Sequence, residues 1–315
     1  MPLTPSPLLH GVSPLPHLGV IRASGADAAN FLHNQLTQDV LLLDDQHARL
    51  AAFCNAKGRM QASFVLYKRS ADEVLLVCRR DLLAQTLKRL SMFVLRAKAK
   101  LSDATAEFTL RGVSGDALHA LCGGAASPAP GLRHRVTEDA DVLTIYPSQG
   151  VARALYLASA ESAATSTLAA LPQLPPETWC VGEVMSGVAW VELATFEAFV
   201  PQMLNYESVD GVNFKKGCYP GQEVVARSQF RGTLKRRAFI VHADVPLHAG
   251  QEVFSSADAT QPCGLVAQAA SDVNTHVAIA ELQLSATQGH SLHLGTAQGA
   301  LLQLLPLPYP LRDDI

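Results

Sequence analysis

With 315 residues, 48% hydrophobic and 17% charged, the chain can bury the cores of two or three domains, which excludes a disordered or low-complexity polypeptide. A formal net charge of -3 and a pI near 6.4 exclude a global pull toward nucleic acid or anionic lipid, so any basic site must be local. The six cysteines are scattered without a C-x-x-C pair or a cysteine–histidine cluster, which excludes a zinc finger or a self-contained cluster site.

Taken in order, the text before His17 is proline-rich and reads as irregular, without the basic start and apolar core of a signal peptide. Gly19 to Ala23 reads as a strand, and Asp27 to Gln35 as a helix that sends Phe31 and Leu32 to the core. Ala48 to Cys54 and Gln61 to Lys68 form a hairpin around Asn55-Ala56-Lys57-Gly58. Val74 to Cys78, a helix over Asp81 to Met92 and a strand near Leu95 to Leu101 make a β-α-β unit, with Leu82, Leu83, Leu87 and Leu90 inward and Lys88 and Arg89 solvated. A second α+β stretch runs from Phe108 to about Leu171 and is broken by a flexible loop at 123–131. Leu171-Pro172-Gln173-Leu174-Pro175-Pro176 reads as a stiff linker, extending to about 178. Beyond Arg231, six short strands between Arg237 and Leu305, parted by Gly, Pro and Asp, argue for a small antiparallel barrel. No apolar run is long enough to span a bilayer, so a cytoplasmic protein of a reducing compartment, without membrane contact, is expected.

The densest chemistry lies in Lys215-Lys216-Gly217-Cys218-Tyr219-Pro220-Gly221-Gln222-Glu223. Pro220-Gly221 fits the centre of a type II turn, after which Gln222 to Gln229 reads as a helix with Glu223 four residues before Arg227. A thiol before a helix start and beside lysines is favoured as thiolate; the plain alternative is a small buried cysteine in a basic loop. From Lys215 to Arg237, seven cations (Lys215, Lys216, Arg227, Arg231, Lys235, Arg236, Arg237) face only Glu223, which reads either as an anion or RNA site or as a solvated basic surface.

This run, with Phe214 before it and Val224-Val225-Ala226-Arg227 and Arg231-Gly232 after it, resembles the signature of the YgfZ family. Gly25 to Leu32, Gln35 to Val40, Asn55-Ala56-Lys57-Gly58-Arg59, Phe199-Val200-Pro201-Gln202 and Leu204-Asn205 extend the resemblance over most of the chain. The resemblance implies an α+β, T-protein-like folate-binding body over 1–230, made of two α+β subdomains, and a C-terminal antiparallel β-barrel over 231–315. It implies a folate-dependent accessory protein for iron–sulfur cluster assembly or repair, supporting tRNA-modifying cluster enzymes. Tetrahydrofolate or a folate derivative would be the cofactor, and iron–sulfur enzymes or assembly proteins the partners. The signature residues are then Lys216, Gly217, Cys218, Tyr219, Gly221, Gln222, Glu223 and Arg227, with Cys218 the functional thiol, either a transient iron or cluster ligand or a redox partner, and Lys216 its cation. Trp179 matches a folate-contacting tryptophan, against the plain reading of a core residue. Arg227 or Lys216 would hold the folate tail carboxylates, and Asp39 would face the same cavity or cap its own turn.

Two further readings stay open. The first is a tetrahydrofolate-dependent aminomethyltransferase like the glycine cleavage T-protein. There an acidic pair follows the glycine turn, whereas this chain has Gly58-Arg59-Met60-Gln61-Ala62-Ser63, and general acid/base help of that kind is typically worth about 10²–10⁴ in rate. An Arg-x-Glu-x-Gly pattern of the family appears here as Glu183-Val184-Met185-Ser186-Gly187. The other reading is an RNA-contacting module for tRNA modification, built on the basic segment with only Tyr219, Phe230 and Phe239 as stacking partners.

Overall fold

The computed structural model describes residues 9–123, 129–230, 234–273 and 275–312; most of the loop expected to be flexible, Arg231-Gly232 of the signature and the first eight residues lie outside them. The proline-rich start is not irregular throughout: Gly11–Pro14 form β1, with Val12 and Ser13 buried. β1 is an edge strand ending in proline, the place where a sheet tolerates one, which is why composition hides it. Then follow β2 (Leu18–Ser24), α1 (Ala28–His33), β3 (Ala48–Cys54), β4 (Met60–Ser70), β5 (Glu73–Arg79), α2 (Arg80–Ser91) and β6 (Lys100–Asp103). They build a sheet in the order β3-β4-β5-β2-β6. β5 and β6 flank β2 and both run antiparallel to it, so the crossover through α2 skips one strand. The last strand begins later than expected because Leu95 is exposed, and pairing starts only at Lys100, opposite Ser24.

The second sheet uses β7 (Phe108–Ser114), β8 (Arg133–Thr137), β9 (Ala140–Ser148) and β10 (Val151–Ser159), with the helices α3 (Asp116–Leu121) and α4 (Thr165–Ala169). Its order, β1-β7-β10-β9-β8, takes its edge from the start of the chain, Val12 pairing with Val113. The expected linker is sewn to that edge: Val12 donates to Pro172 O at 2.8 Å and Leu174 donates to Val12 O at 2.8 Å. Its last residues already belong to α5 (Pro176–Met185), which opens with proline in its first turn. α5 is apolar nearly all round and accordingly buried: Val181 and Val184 join a core shared with the barrel, while Trp179 joins the core of the sheets.

After α6 (Gln222–Phe230), the strands β11 (Arg236–Ala243), β12 (Glu252–Ser255), β13 (Asp258–Ser271), β14 (His276–Gln283), β15 (Leu292–Leu294) and β16 (Leu301–Leu305) close into a six-stranded antiparallel barrel. Closure removes the exposed edges such short strands would otherwise present. The chain then returns to the body, where Tyr309 donates its hydroxyl to Gly187 O at 2.7 Å and stacks edge-on against Tyr146. Among the described residues no helix is long and apolar enough to cross a membrane.

Candidate functional site

A cavity of about 760 Å³ lies where β3, β4, β9, α5 and the signature segment meet, a size suited to a small organic ligand. Arg153 and Glu183 are two of its charged residues, and both are almost fully buried. The Arg153 guanidinium lies 4.5 Å from the Trp179 ring and makes one long bond, Nη1 to Tyr146 O at 3.5 Å. Its Nε and Nη2 have no hydrogen-bond partner among the described residues. Burial pushes its pKa down to about 10, with Glu183 opposing, so the group stays charged at neutral pH. The Glu183 carboxylate accepts from Trp179 Nε1 at 2.9 Å and Gln268 Nε2 at 3.4 Å, and sits 3.1 Å from His17 Nε2. Burial pushes this carboxyl up, but His17, Arg153 and Trp179 together outweigh it and hold it below the usual range. On α6, the buried Gln229 Oε1 likewise lacks a partner among the described residues. Tyr146, Trp190, Phe214 and Phe230 supply aromatic walls, and Arg49, Lys215 and Arg312 bring positive charge.

Trp179 does not line this cavity. It is fully buried behind Arg153, its ring packed so closely on Gly112 that a Cβ there would meet it at 2.6 Å, so it backs the cavity wall as a core residue. Asp39 caps its own turn, accepting from Leu42 N at 2.9 Å beside His33, and its neighbour Gln38 faces the cavity instead. Arg227 makes the i,i+4 pair with Glu223 at 2.9 Å, but both are exposed and neither reaches the cavity. The signature contributes Lys215 rather than Lys216.

Lys216 serves the backbone. Its Nζ donates to His33 O at 2.6 Å, Leu36 O at 3.0 Å and Gly217 O at 3.2 Å, and lies 4.7 Å from the Tyr219 ring centre. Burial pushes its pKa down to about 8, with Asp39 and Cys218 opposing. Cys218 itself is exposed, outside the cavity and just before the turn that leads into α6. That turn is as expected: Gln222 N donates to Tyr219 O at 3.2 Å and Gly221 has φ +79°. A Cβ on Gly221 would come within 2.7 Å of Gly58 Cα, so the glycine turn of the β3–β4 hairpin and the signature turn lie backbone to backbone. Arg59 donates to Ala198 O, Met60 N donates to Phe199 O at 2.8 Å, and Gln202 Nε2 donates to Val225 O at 2.7 Å. Motifs spread over much of the sequence thus form one knot beneath Cys218.

Most of the basic segment is occupied. Arg237 is buried against Glu207 at 2.6 Å, Arg236 donates from Nη1 to both carboxylate oxygens of Glu281 at 2.8 and 3.0 Å, and Lys216 and Arg227 are spoken for as above; Arg231 lies outside the described residues. They do not form a continuous exposed basic strip. Gln61, at the place of the acidic pair, is bonded to Glu197 at 2.7 Å and faces away from the cavity. His17, Cys180 and Glu183 bring potential metal-ligand atoms within 4.8 Å of one another, but burial raises the Cys180 thiol to about 12 against the opposing pull of Arg79 and Arg153, and Glu183 is already engaged by His17, Trp179 and Gln268, which makes a charge network around Glu183 the better account. Around Cys218 no such group forms among the described residues.

Arg153 escaped sequence reasoning, although a signal exists. On β10 it alternates with Leu155 and Leu157, both core residues, so a cation stands at an inward-facing strand position.

No family model matches the chain. The chain is 29% identical to the tRNA-modifying protein YgfZ of Sodalis glossinidius over 320 aligned positions, covering 99% of this chain and 97% of that protein. To the tRNA-modifying protein YgfZ of Yersinia enterocolitica it is 30% identical over 241, covering 75% and 72%. The structure resembles the glycine cleavage system aminomethyltransferase T of Bartonella henselae with a TM-score of 0.64 at 14% identity, over 95% of this chain and 86% of that one, a likeness of fold. On this sequence likeness the chain belongs to the YgfZ family, whose relatives named above are tRNA-modifying proteins.

Proposed function

We propose that this protein is a folate-binding accessory factor that sustains iron–sulfur enzymes of tRNA modification, with Cys218 as its working thiol. The observation that carries the folate part is the buried Arg153, whose Nε and Nη2 donors are unpaired among the described residues at a cavity that also holds the Glu183 carboxylate. A buried guanidinium short of acceptors is costly, and a flat heteroaromatic ring with a donor and acceptor edge would satisfy Arg153 while also bonding Glu183. Trp190, Tyr146 and Phe214 suit the face of such a ring, and Lys215 and Arg49 suit a glutamate tail. When bound, a tetrahydrofolate would supply one-carbon carrier chemistry.

Cys218 lies outside the cavity, yet Lys215 and Gln229 line it from either side of the thiol, which favours a cavity ligand and a thiol acting as separate parts of one device. Aminomethyl transfer is the weaker reading, because the stretch Gly58 to Ser63, where the T-protein carries its acidic pair, has no carboxylate, and its Gln61 is turned away and engaged by Glu197.

The test is anaerobic titration of tetrahydrofolate into wild type, Arg153→Lys and Lys215→Glu, with thermal melts as a control for folding. Wild type should bind, Arg153→Lys should weaken binding by about tenfold or more, and Lys215→Glu should weaken it in a salt-dependent way. Absence of binding by folded wild type would overturn the folate reading. Robust methylene-folate synthesis with the other glycine cleavage components would overturn the accessory role.

A further inference from the structure

A second hollow of about 250 Å³ opens beside the last turns of α2, and its walls share no residue with the large cavity. Phe53, Met92 and Phe196 make it apolar, together with the stems of Lys88 and Arg89. Among its lining residues are two buried polar side chains, Thr86 at 3% and Gln61 at 8% exposure. Thr86 Oγ1 and Gln61 Oε1 are both buried without a hydrogen-bond partner among the described residues. The orientation of the Gln61 amide is settled by its neighbour: Nε2 donates to Glu197 Oε1 at 2.7 Å, and a carboxylate can only accept, so the carbonyl oxygen is the free end.

The lining therefore offers one acceptor and one hydroxyl, each otherwise left unsatisfied. A single hydroxyl lodged between them would serve both, donating to Gln61 Oε1 and accepting from Thr86 Oγ1. Attached to a ring, it also fills the apolar walls, so the complementary group is a phenol. The surroundings indicate what carries it. Met92 is 59% exposed, and Leu193, Phe196 and Phe93 are exposed on the same part of the molecule, more apolar surface than a free small phenol would cover. Lys88 and Arg89 at the rim have no acidic partner among the described residues, while Asp81 is engaged by Leu193 N at 3.0 Å. The geometry points to a docking groove for a tyrosine side chain borne on an acidic segment of a partner protein, independent of the folate reading.

The full-length protein is titrated with an acetylated, amidated peptide Asp-Glu-Tyr-Glu-Asp, its tyrosine-to-phenylalanine counterpart and a lysine-flanked tyrosine peptide. Binding is followed by calorimetry and by amide chemical shifts. The acidic tyrosine peptide should bind and shift signals around Thr86 and Gln61, and the phenylalanine peptide should bind about tenfold more weakly. Thr86→Val, which keeps the shape, should bring the tyrosine peptide to the level of the phenylalanine one. Lys88→Glu with Arg89→Glu should weaken both, and thermal melts verify that each variant folds. Equal affinity for tyrosine and phenylalanine, equal affinity for acidic and basic peptides, absence of binding at millimolar peptide, or preferential occupation of the hollow by a single-stranded oligonucleotide would each overturn the proposal.

Discussion

Replacing Lys216 by methionine separates an architectural cation from a chemical one. The change keeps an unbranched stem of similar length against Tyr219 but removes the donor to His33 O, Leu36 O and Gly217 O. The first two bonds are fully buried, and each orphaned carbonyl costs about 1–3 kcal/mol. Relief from burying an ammonium offsets part of this, leaving a net loss of about 2–4 kcal/mol. At about 2 °C per kcal/mol for a chain this long, Tm should fall by about 4–8 °C. Differential scanning calorimetry and urea melts measure the loss, and the rate of Cys218 modification by a disulfide reagent reports on the loop. That rate should rise, because the loop is no longer tied to the end of α1. An unchanged Tm combined with a slowed thiol would refute the anchoring account and return Lys216 to the chemistry of Cys218.

Gly221→Ala should lower stability by roughly 2–5 kcal/mol in urea melts, from a left-handed backbone at φ +79° and a Cβ 2.7 Å from Gly58 Cα; a loss below about 1 kcal/mol would contradict the packed turns. Glu192 has its pKa pushed up to about 7, chiefly by burial against the opposing pull of Arg79. Its folded pKa exceeds the unfolded 4.5, so the folded state holds more protons between these values and the contribution of Glu192 is lost as pH rises through that window. Glu192→Gln should therefore flatten the fall in urea midpoint between pH 5 and pH 7.5, and an unchanged slope would count against a raised carboxyl at this half-buried position. Cys218→Ser, at an exposed position, should leave Tm within about 1 °C while abolishing support of an iron–sulfur tRNA-modifying enzyme in cells; equal complementation would remove the thiol from the mechanism.

The barrel strands, the hairpin at Asn55 to Gly58, the turn at Pro220-Gly221 and the Glu223–Arg227 pair were legible because each rests on neighbours in sequence. The parts that escaped depend on distant meetings. Lys216 finds its acceptors about 180 residues away at the end of α1, and nothing local marks a lysine as the donor to another segment's carbonyls. Trp179 and Arg153 form a stacked pair across two elements, which put the arginine at the cavity and the tryptophan behind it. Composition likewise made the stretch from Lys215 to Arg237 look like a basic surface, since Glu207 and Glu281, which neutralise Arg237 and Arg236, come from elsewhere in the chain.

The pairing of β1 with β7 also sets a timetable for the nascent chain. Val12 meets Val113 only after about a hundred intervening residues have been made, and at roughly 5–20 residues per second the first strand waits on the order of 5–20 s for its partner. The sheet of β2 to β6 closes without it and can form while the N-terminal segment is still loose. The second sheet gains its edge by recruiting that waiting segment, and residues 172–174 fasten its other side only when synthesis has moved further on. Deleting the four residues of β1 should therefore stall translation-coupled folding at the second sheet, visible as a protease-resistant fragment that ends before Phe108.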